Sequence, residues 1–469
     1  MVPDLATPAV TNRDRAAADA ALARCVGDPV AFLAGPHGAR PHLRRAGAPF
    51  DDLLSLEGVD EALTGRGLRY PAVRAVRDGE VVDRHLFTRS ARSGRAHVDD
   101  LVDAGRLLEL FADGATLVLQ ALQRWWPPVT GFCRDLEVAL GHPVQANAYL
   151  TPPGAAGLAP HHDTHDVFVL QVAGTKRWTL REPVLEAPLA RHPSDHDTAA
   201  GQPVLLEAEL RPGDALYLPR GVVHSAATQQ GLSLHLTVGV LATTAYDVAR
   251  RVLDRAADEV TFRGDLPPGY AFDRDVARKA VAQVVQQLGA WLDRLDTAEV
   301  ADELVESFLT HRGPLLGGHL LELAGLATID DRTVVRRRPG TLCTIKLAAA
   351  GDADATTTGA TATTTAAEDD DHGDQDADGD GGEPGDGGGR VRPEVGVTLG
   401  DRELRLPAAL EPALRRLLDG EPHAVADLGD LLDEGSRAVL ARRLVREGAL
   451  VTDQEAGSIG AGPGRGPGG

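Results

Sequence analysis

His161, Asp163 and His224 are residue types that bind divalent metal ions, and their spacing would let them act together. In extended chain, residues two apart project to the same side, so His161 and Asp163 can reach one ion while His162 turns away. His224 follows the turn Pro219-Arg220-Gly221, 61 residues after Asp163. Such a rigid turn presents an imidazole at the start of a strand. Two imidazoles and one carboxylate leave neighbouring coordination positions open, the facial arrangement that suits Fe(II) when a cosubstrate and O₂ must both reach the metal. His235, in the strand-like run Leu232-Ser233-Leu234-His235-Leu236-Thr237, competes for the third place. His224 is preferred, because His235 lies deep in an apolar run where a packed residue is expected. His162, His165 and Asp166 are read as pocket or supporting groups, with His165 on the ligand face.

Lys176 stands out against the composition. Of 48 basic residues, three are lysines: Lys176, Lys279 and Lys346. An ammonium on the strand after the His-X-Asp segment can pair with the distal carboxylate of a keto-diacid whose other end chelates the metal.

Three segments carry a family resemblance: Asn147-Ala148-Tyr149-Leu150-Thr151-Pro152-Pro153-Gly154, the run around His161, and Gly174-Thr175-Lys176-Arg177-Trp178. Together they resemble the JmjC-type ribosomal oxygenases, cupin-like protein hydroxylases that depend on Fe(II) and 2-oxoglutarate. The likeness is specific over roughly residues 107–240 and includes Trp125-Trp126-Pro127-Pro128 and Phe132 to Leu140. It implies that His161, Asp163 and His224 are the catalytic iron ligands, that Lys176 anchors the 2-oxoglutarate cosubstrate, and that Asn147, Tyr149 and Thr237 line the cosubstrate pocket. It further implies a ribosomal protein as partner, hydroxylated on an Arg or His side chain, and a homodimer paired through the region after the barrel. Two rivals stand beside this reading. One is a JmjC-type lysine demethylase, which would use the same triad and release formaldehyde; the other is a non-catalytic cupin-like binding or assembly module.

The elements that must position these residues are short strands divided by Pro and Gly. Thr116 to Leu119, Val144 to Leu150, Val167 to Val172, Trp178 to Leu180, Val204 to Leu210, Ala215 to Leu218 and Ser233 to Val240 read as strands. At that density they predict a mainly β catalytic core, a double-stranded β-helix or jelly roll with flanking helices and a metal at its mouth. Leu107 to Leu110 starts a helix, and Phe132 to Leu140 is an amphipathic helix closed by Gly141. Before these, Ala16 to Val26 reads as a helix within an entry region that wraps the barrel.

The division expected is a catalytic domain over 1–245 with its core at about 107–240, a helical dimerisation region over 246–345, a linker over 346–390, a winged-helix-like domain over 391–453 and a tail over 454–469. In the helical region, Val276, Lys279, Ala280, Gln283, Val284, Gln287, Leu288, Trp291, Leu292 and Leu295 recur at spacings of three and four, which predicts a buried seam. Toward the carboxyl end, a strand at Val395 to Leu399, helices at Pro407 to Leu418, Val425 to Leu432 and Arg437 to Glu447 after a Ser436 cap, and the apolar Ala449-Leu450-Val451 give a winged-helix order.

Net charge is −21, but Gly351 to Gly389 alone holds twelve Asp and Glu and no Lys or Arg, leaving −21 + 12 = −9 elsewhere. That Thr/Ala and Asp/Gly stretch cannot bury enough apolar surface to offset chain entropy and is expected to be a disordered spacer. The segment 391–453 sets nine Arg against twelve acidic residues, without the basic face that phosphate binding requires, so no direct DNA binding is expected. The chain lacks an apolar stretch of membrane-spanning length and shows no secretory leader at Met1 to Thr7. Three scattered cysteines, Cys25, Cys133 and Cys343, form neither a zinc motif nor a disulfide framework. These observations predict a cytoplasmic protein.

Overall fold

The computed structural model describes residues 10–155, 159–192, 196–228, 231–347 and 393–453. The linker expected at 346–390 and the tail at 454–469 lie almost wholly outside the described residues. The described residues divide into two compact units, Val10–Phe308 and the unit from Leu309 onward.

The first unit is built on strands β1 (His42–Arg44), β2 (Val73–Arg77), β3 (Glu80–Val81), β4 (Thr88–Ser93), β5 (Ala96–Val102), β6 (Thr116–Leu119), β7 (Val144–Thr151), β8 (Asp166–Ala173), β9 (Lys176–Arg181), β10 (Val204–Leu210), β11 (Ala215–Leu218), β12 (Val223–Ala227) and β13 (Ser233–Val240). Among the described residues, eight of them form a sheet in the order β1-β11-β8-β13-β7-β6-β2-β3, and three form a smaller sheet, β10-β9-β12. This is a sheet-rich, double-stranded core of the kind the strand density predicts.

Alternation along the central strands explains why the large sheet is covered on both sides. Ala146, Ala148 and Leu150 of β7, Phe168 and Leu170 of β8, and Leu234, Leu236 and Val238 of β13 join one core. Leu22, Cys25, Phe132 and Leu136, from the helices Asn12–Val26 and Pro127–Leu140, belong to the same cluster. The opposite face of β8, Val167 and Val169, packs with Trp178, Leu180, Leu210 and Leu218 between the two sheets. The residues interleaved with these apolar ones on β7 and β13 are polar, and they line the site described below.

Several boundaries differ from expectation. The amino-terminal region does not merely wrap the barrel: β2 pairs with β6, and β1 with β11, so it completes the main sheet. These pieces are two to five residues long, too short for a period-2 pattern to declare itself. The helix after the Trp pair begins at Pro127 rather than Phe132 and ends where Gly141 takes φ 69°, because Pro suits a first helical turn and Gly a left-handed cap.

The predicted seam on the helix Arg274–Leu292 is narrower than the periodicity implies. Ala280 and Trp291 are buried, whereas Lys279, Gln283, Val284 and Leu292 are exposed. Nor is 246–345 helical throughout, since Val334–Arg337 and Cys343–Leu347 are strands.

The second unit has its own apolar core, including Val335, Ile345, Val397, Leu414, Leu428 and Leu444. Its strands β14 (Val334–Arg337), β15 (Cys343–Leu347), β16 (Glu394–Leu399), β17 (Arg402–Pro407), β18 (His423–Ala424) and β19 (Leu450–Thr452) form two small sheets, β18-β14-β19 and β15-β16-β17. The expected helix from Pro407 starts only at Glu411, after β17 and one 3₁₀ turn. That expected over Val425 to Leu432 is the single 3₁₀ turn Val425–Leu428. The last helix is Glu434–Arg446, and its cap is Asp433: the Ser436 N–H and Oγ both donate to the Asp433 carboxylate, at 3.0 and 2.6 Å. Asp is as good a cap as Ser and precedes it, so the helix begins earlier. Among the described residues no helix is long and apolar enough to cross a membrane.

Candidate active site

His161 and Asp163 lie just before β8, not on it, since the strand begins at Asp166. An isolated antiparallel bridge does the positioning instead: His161 N–H donates to the His224 carbonyl at 3.2 Å, and His224 N–H returns the bond to His161 at 2.8 Å. A pair that exchanges both bonds sits directly opposite across the ladder, which sets the two imidazoles side by side. Their ring centroids are 4.4 Å apart. Asp163 is fixed by its own backbone, whose carbonyl accepts from Gly221 N–H at 3.0 Å in the Pro-Arg-Gly turn. One ligating atom from each of His161, Asp163 and His224 falls within 4.8 Å of the others.

The donor set fits a divalent ion. His161 Nδ1 lies 2.8 Å from the Ala159 carbonyl and His224 Nδ1 lies 3.1 Å from that of Val222. A carbonyl can only accept, so each Nδ1 carries the proton and each Nε2 keeps its lone pair for a metal. His224 Nε2 stands 3.6 Å from Asp163 Oδ2. Burial, and next the neighbouring His161, hold the His224 imidazole well below its ordinary pKa, which keeps it neutral as a ligand must be.

His235 is not part of this group. Its ring stacks on Tyr149, with centroids 5.1 Å apart and planes 8° apart, and meets Trp178 edge-on. Asp166 serves the scaffold: its carboxylate accepts from Tyr217 Oη at 2.5 Å and from Arg220 N–H at 2.9 Å. His162 is buried and does not line the cavity. His165 does line it, with its ring against Gly239, where a Cβ would come within 2.6 Å of the imidazole.

The three ligating groups open into a cavity of about 340 Å³ between the two sheets, also lined by Asn147, Tyr149, Lys176 and Thr237. Register explains how these residues meet. Thr237 of β13 is paired with Asn147 of β7, and His235 with Tyr149, so successive rows descend from the mouth. One row deeper Ser233 pairs with Thr151, whose Oγ1 accepts a 3.0 Å bond from Lys176 Nζ.

Burial pushes the Lys176 ammonium down to about 7. Burial, and then the Asp163 charge, raise the Tyr149 phenol, which shares a hydrogen bond with Thr237. Asn147 Oδ1 accepts from Ala121 N–H at 3.0 Å, so one end of its amide is committed to the scaffold. The cavity also contains residues that sequence reasoning did not single out, among them Arg74, Thr116, Gln145 and Ser225. Alternation from Asn147 and Tyr149 reaches Gln145 and Thr151. No comparable signal marks Arg74, which arrives on the short strand β2.

This geometry agrees with the comparison to known families: residues 129–248 match the profile of the JmjC domain. That segment, and not the whole chain, carries the likeness. Within the JmjC match fall the three ligating residues, Lys176 and Thr237. Over 219 residues the chain is 34% identical to Ribosomal oxygenase 1 of Rattus norvegicus, covering 43% of this chain and 36% of the relative. It is 34% identical over 215 residues to Ribosomal oxygenase 2 of Mus musculus, covering 43% and 45%. Against the bifunctional lysine-specific demethylase and histidyl-hydroxylase NO66 of Drosophila simulans, identity is 39% over 233 residues, 46% of this chain and 26% of that one. The chain thus spans less than half the length of these relatives. Among solved structures, YcfD, a ribosomal oxygenase from Escherichia coli in complex with cobalt and 2-oxoglutarate, matches with TM-score 0.47 and 17% identity over 90% of this chain and 98% of that one.

Proposed function

We propose that this protein is an Fe(II)- and 2-oxoglutarate-dependent dioxygenase that hydroxylates an Arg or His side chain of a ribosomal protein. The observation that carries this reading is the placement of two imidazoles, one carboxylate and a buried ammonium in one cavity, with all three ligating atoms turned inward. His161, Asp163 and His224 would hold the iron on one face. When bound, the iron activates O₂, and the balanced outcome is that 2-oxoglutarate, O₂ and a C–H bond give succinate, CO₂ and a C–OH bond.

The protein's own residues orient and exclude. Lys176 reaches the distal carboxylate and exchanges its weak bond to Thr151 Oγ1 for a charge-assisted one. Tyr149, Asn147 and Thr237 flank the cosubstrate, and Trp178 with Val169 keeps water from the dry wall. Burial depresses Lys176, and the arrival of a carboxylate beside it would favour its charged form.

The test is turnover with ribosomal protein peptides, Fe(II) and 2-oxoglutarate, read as succinate and as peptide mass increased by one oxygen atom. Absence of both, with metal and 2-oxoglutarate shown to bind, would point to a binding or assembly module. Formaldehyde released from a methyl-lysine peptide would point to a demethylase, a reading favoured by the two activities in the name of the NO66 relative.

We further infer a homodimer paired through the helix Arg274–Leu292, on which Val281, Val284, Val285 and Leu292 are 59%, 41%, 62% and 42% exposed. An apolar strip of that extent favours a partner surface. The carboxyl-terminal unit, with helix Glu434–Arg446 leading to β19, is read as a winged-helix-like module for protein contacts, and the protein as cytoplasmic, where its substrates are made.

A further inference from the structure

We propose that Arg74 is a specificity-determining residue that makes this site accept a neutral target side chain, an imidazole, and refuse a guanidinium or a methylated ammonium. The inference rests on the oxygenase reading above and names the substrate class of the same cavity.

Arg74 sits on β2, and cross-strand pairing sets it in one row with Val118 of β6, Tyr149 of β7 and His235 of β13. Its side chain lines the cavity, close enough to Tyr149 for its charge to bear on the phenol. Arg74 Nε is buried without a hydrogen-bond partner. Among the described residues that line the cavity the only carboxylate is Asp163, and that group is committed to the metal. Lys176 is committed to the cosubstrate, whose two carboxylates divide between it and the metal.

A cationic target entering this space would meet a guanidinium of its own sign and find no free carboxylate to replace its hydration. The remaining polar lining includes the neutral donors and acceptors of Gln145 and Ser225. These suit an imidazole, which both donates and accepts one hydrogen bond when neutral.

The experiment compares ribosomal protein peptides identical except for a central His, Arg or dimethyl-Lys. Binding is measured by fluorescence anisotropy without oxygen, in the presence of Mn(II) and 2-oxoglutarate, and turnover by peptide mass. Wild type should prefer the His peptide by roughly tenfold or more, the scale of one unscreened like-charge contact. Arg74→Lys should keep that preference, Arg74→Gln should narrow it, and Arg74→Glu should reverse it toward the Arg and dimethyl-Lys peptides. Equal or tighter wild-type binding of the Arg peptide overturns the proposal. So does an unchanged ratio in Arg74→Glu, or an Arg74→Gln effect confined to the KM for 2-oxoglutarate. The binding ratios are read whether or not oxygen is transferred, so a failed oxygenase reading and a failed role for Arg74 give different results.

Discussion

At the scale of single residues, each candidate imidazole ligand is held from behind. The Nδ1 contacts of His161 and His224 with backbone carbonyls turn both Nε2 atoms inward, so a metal would meet preformed donors instead of mobile rings. Replacing Asp163 with Ala should weaken Mn(II) or Co(II) binding by at least about 100-fold, since loss of even an outer partner costs 10–100-fold, and should abolish succinate formation. Titration calorimetry reads the first effect and a coupled assay the second.

Lys176→Met keeps the length of the side chain and removes its charge. It should raise the KM for 2-oxoglutarate roughly 10- to 100-fold, the worth of one buried charge-assisted hydrogen bond, with a smaller change in kcat. The pH dependence follows from the direction of the shift. Burial lowers Lys176 to about 7, so the ammonium is present below that value and is lost above it. The affinity of wild type for 2-oxoglutarate should be flat below about 7 and fall up to tenfold per unit above it, a trend that Lys176→Met should not show. A flat wild-type profile up to pH 9 would remove Lys176 from the cosubstrate site.

At the scale of elements, the decisive features are a turn and a bridge. Gly174 joins β8 to β9 with φ 62°, and a Cβ there would fall 1.7 Å from the Leu232 carbonyl oxygen. That obstacle is backbone and cannot swing aside. Gly174→Ala should therefore cost more than about 2 kcal/mol, combining a strained φ with a main-chain clash. Urea denaturation measures it, and a change under 0.5 kcal/mol would mean that the turn relaxes freely. Because Lys176 is the first residue of β9, the same variant should weaken 2-oxoglutarate binding.

Much at this scale was legible beforehand. Thr116 to Leu119, Val204 to Leu210, Ala215 to Leu218 and Ser233 to Val240 are strands with the expected limits, because each is an apolar or alternating run. The strands β1 to β3 were not, being too brief to show a period, and the bridge between His161 and His224 is a long-range pairing that no local pattern reports.

At the scale of the whole molecule, the helix Arg274–Leu292 carries an exposed apolar strip. If it pairs with a second copy, Val281→Glu combined with Val285→Glu should convert a dimer to a monomer in light scattering at micromolar concentration while the thermal midpoint of the barrel moves little. A wild-type protein that is already monomeric would contradict the homodimer. The periodicity of this helix announced an apolar face but not its destination, since a buried seam and an interface have the same spacing.

By itself the sequence offered the chemistry: imidazoles at His161, His224 and His235, a carboxylate at Asp163, an ammonium at Lys176, and a strand whose alternation puts Asn147 and Tyr149 on one face. Only the tertiary structure sets His224, and not His235, beside His161 and Asp163, through a bridge across a gap of more than sixty residues. It alone brought Arg74 into the cavity, through pairing of β2 with β6. Local pattern is written in neighbours along the chain, whereas the charge inside a cavity is set by whichever distant strands the packing brings to its wall.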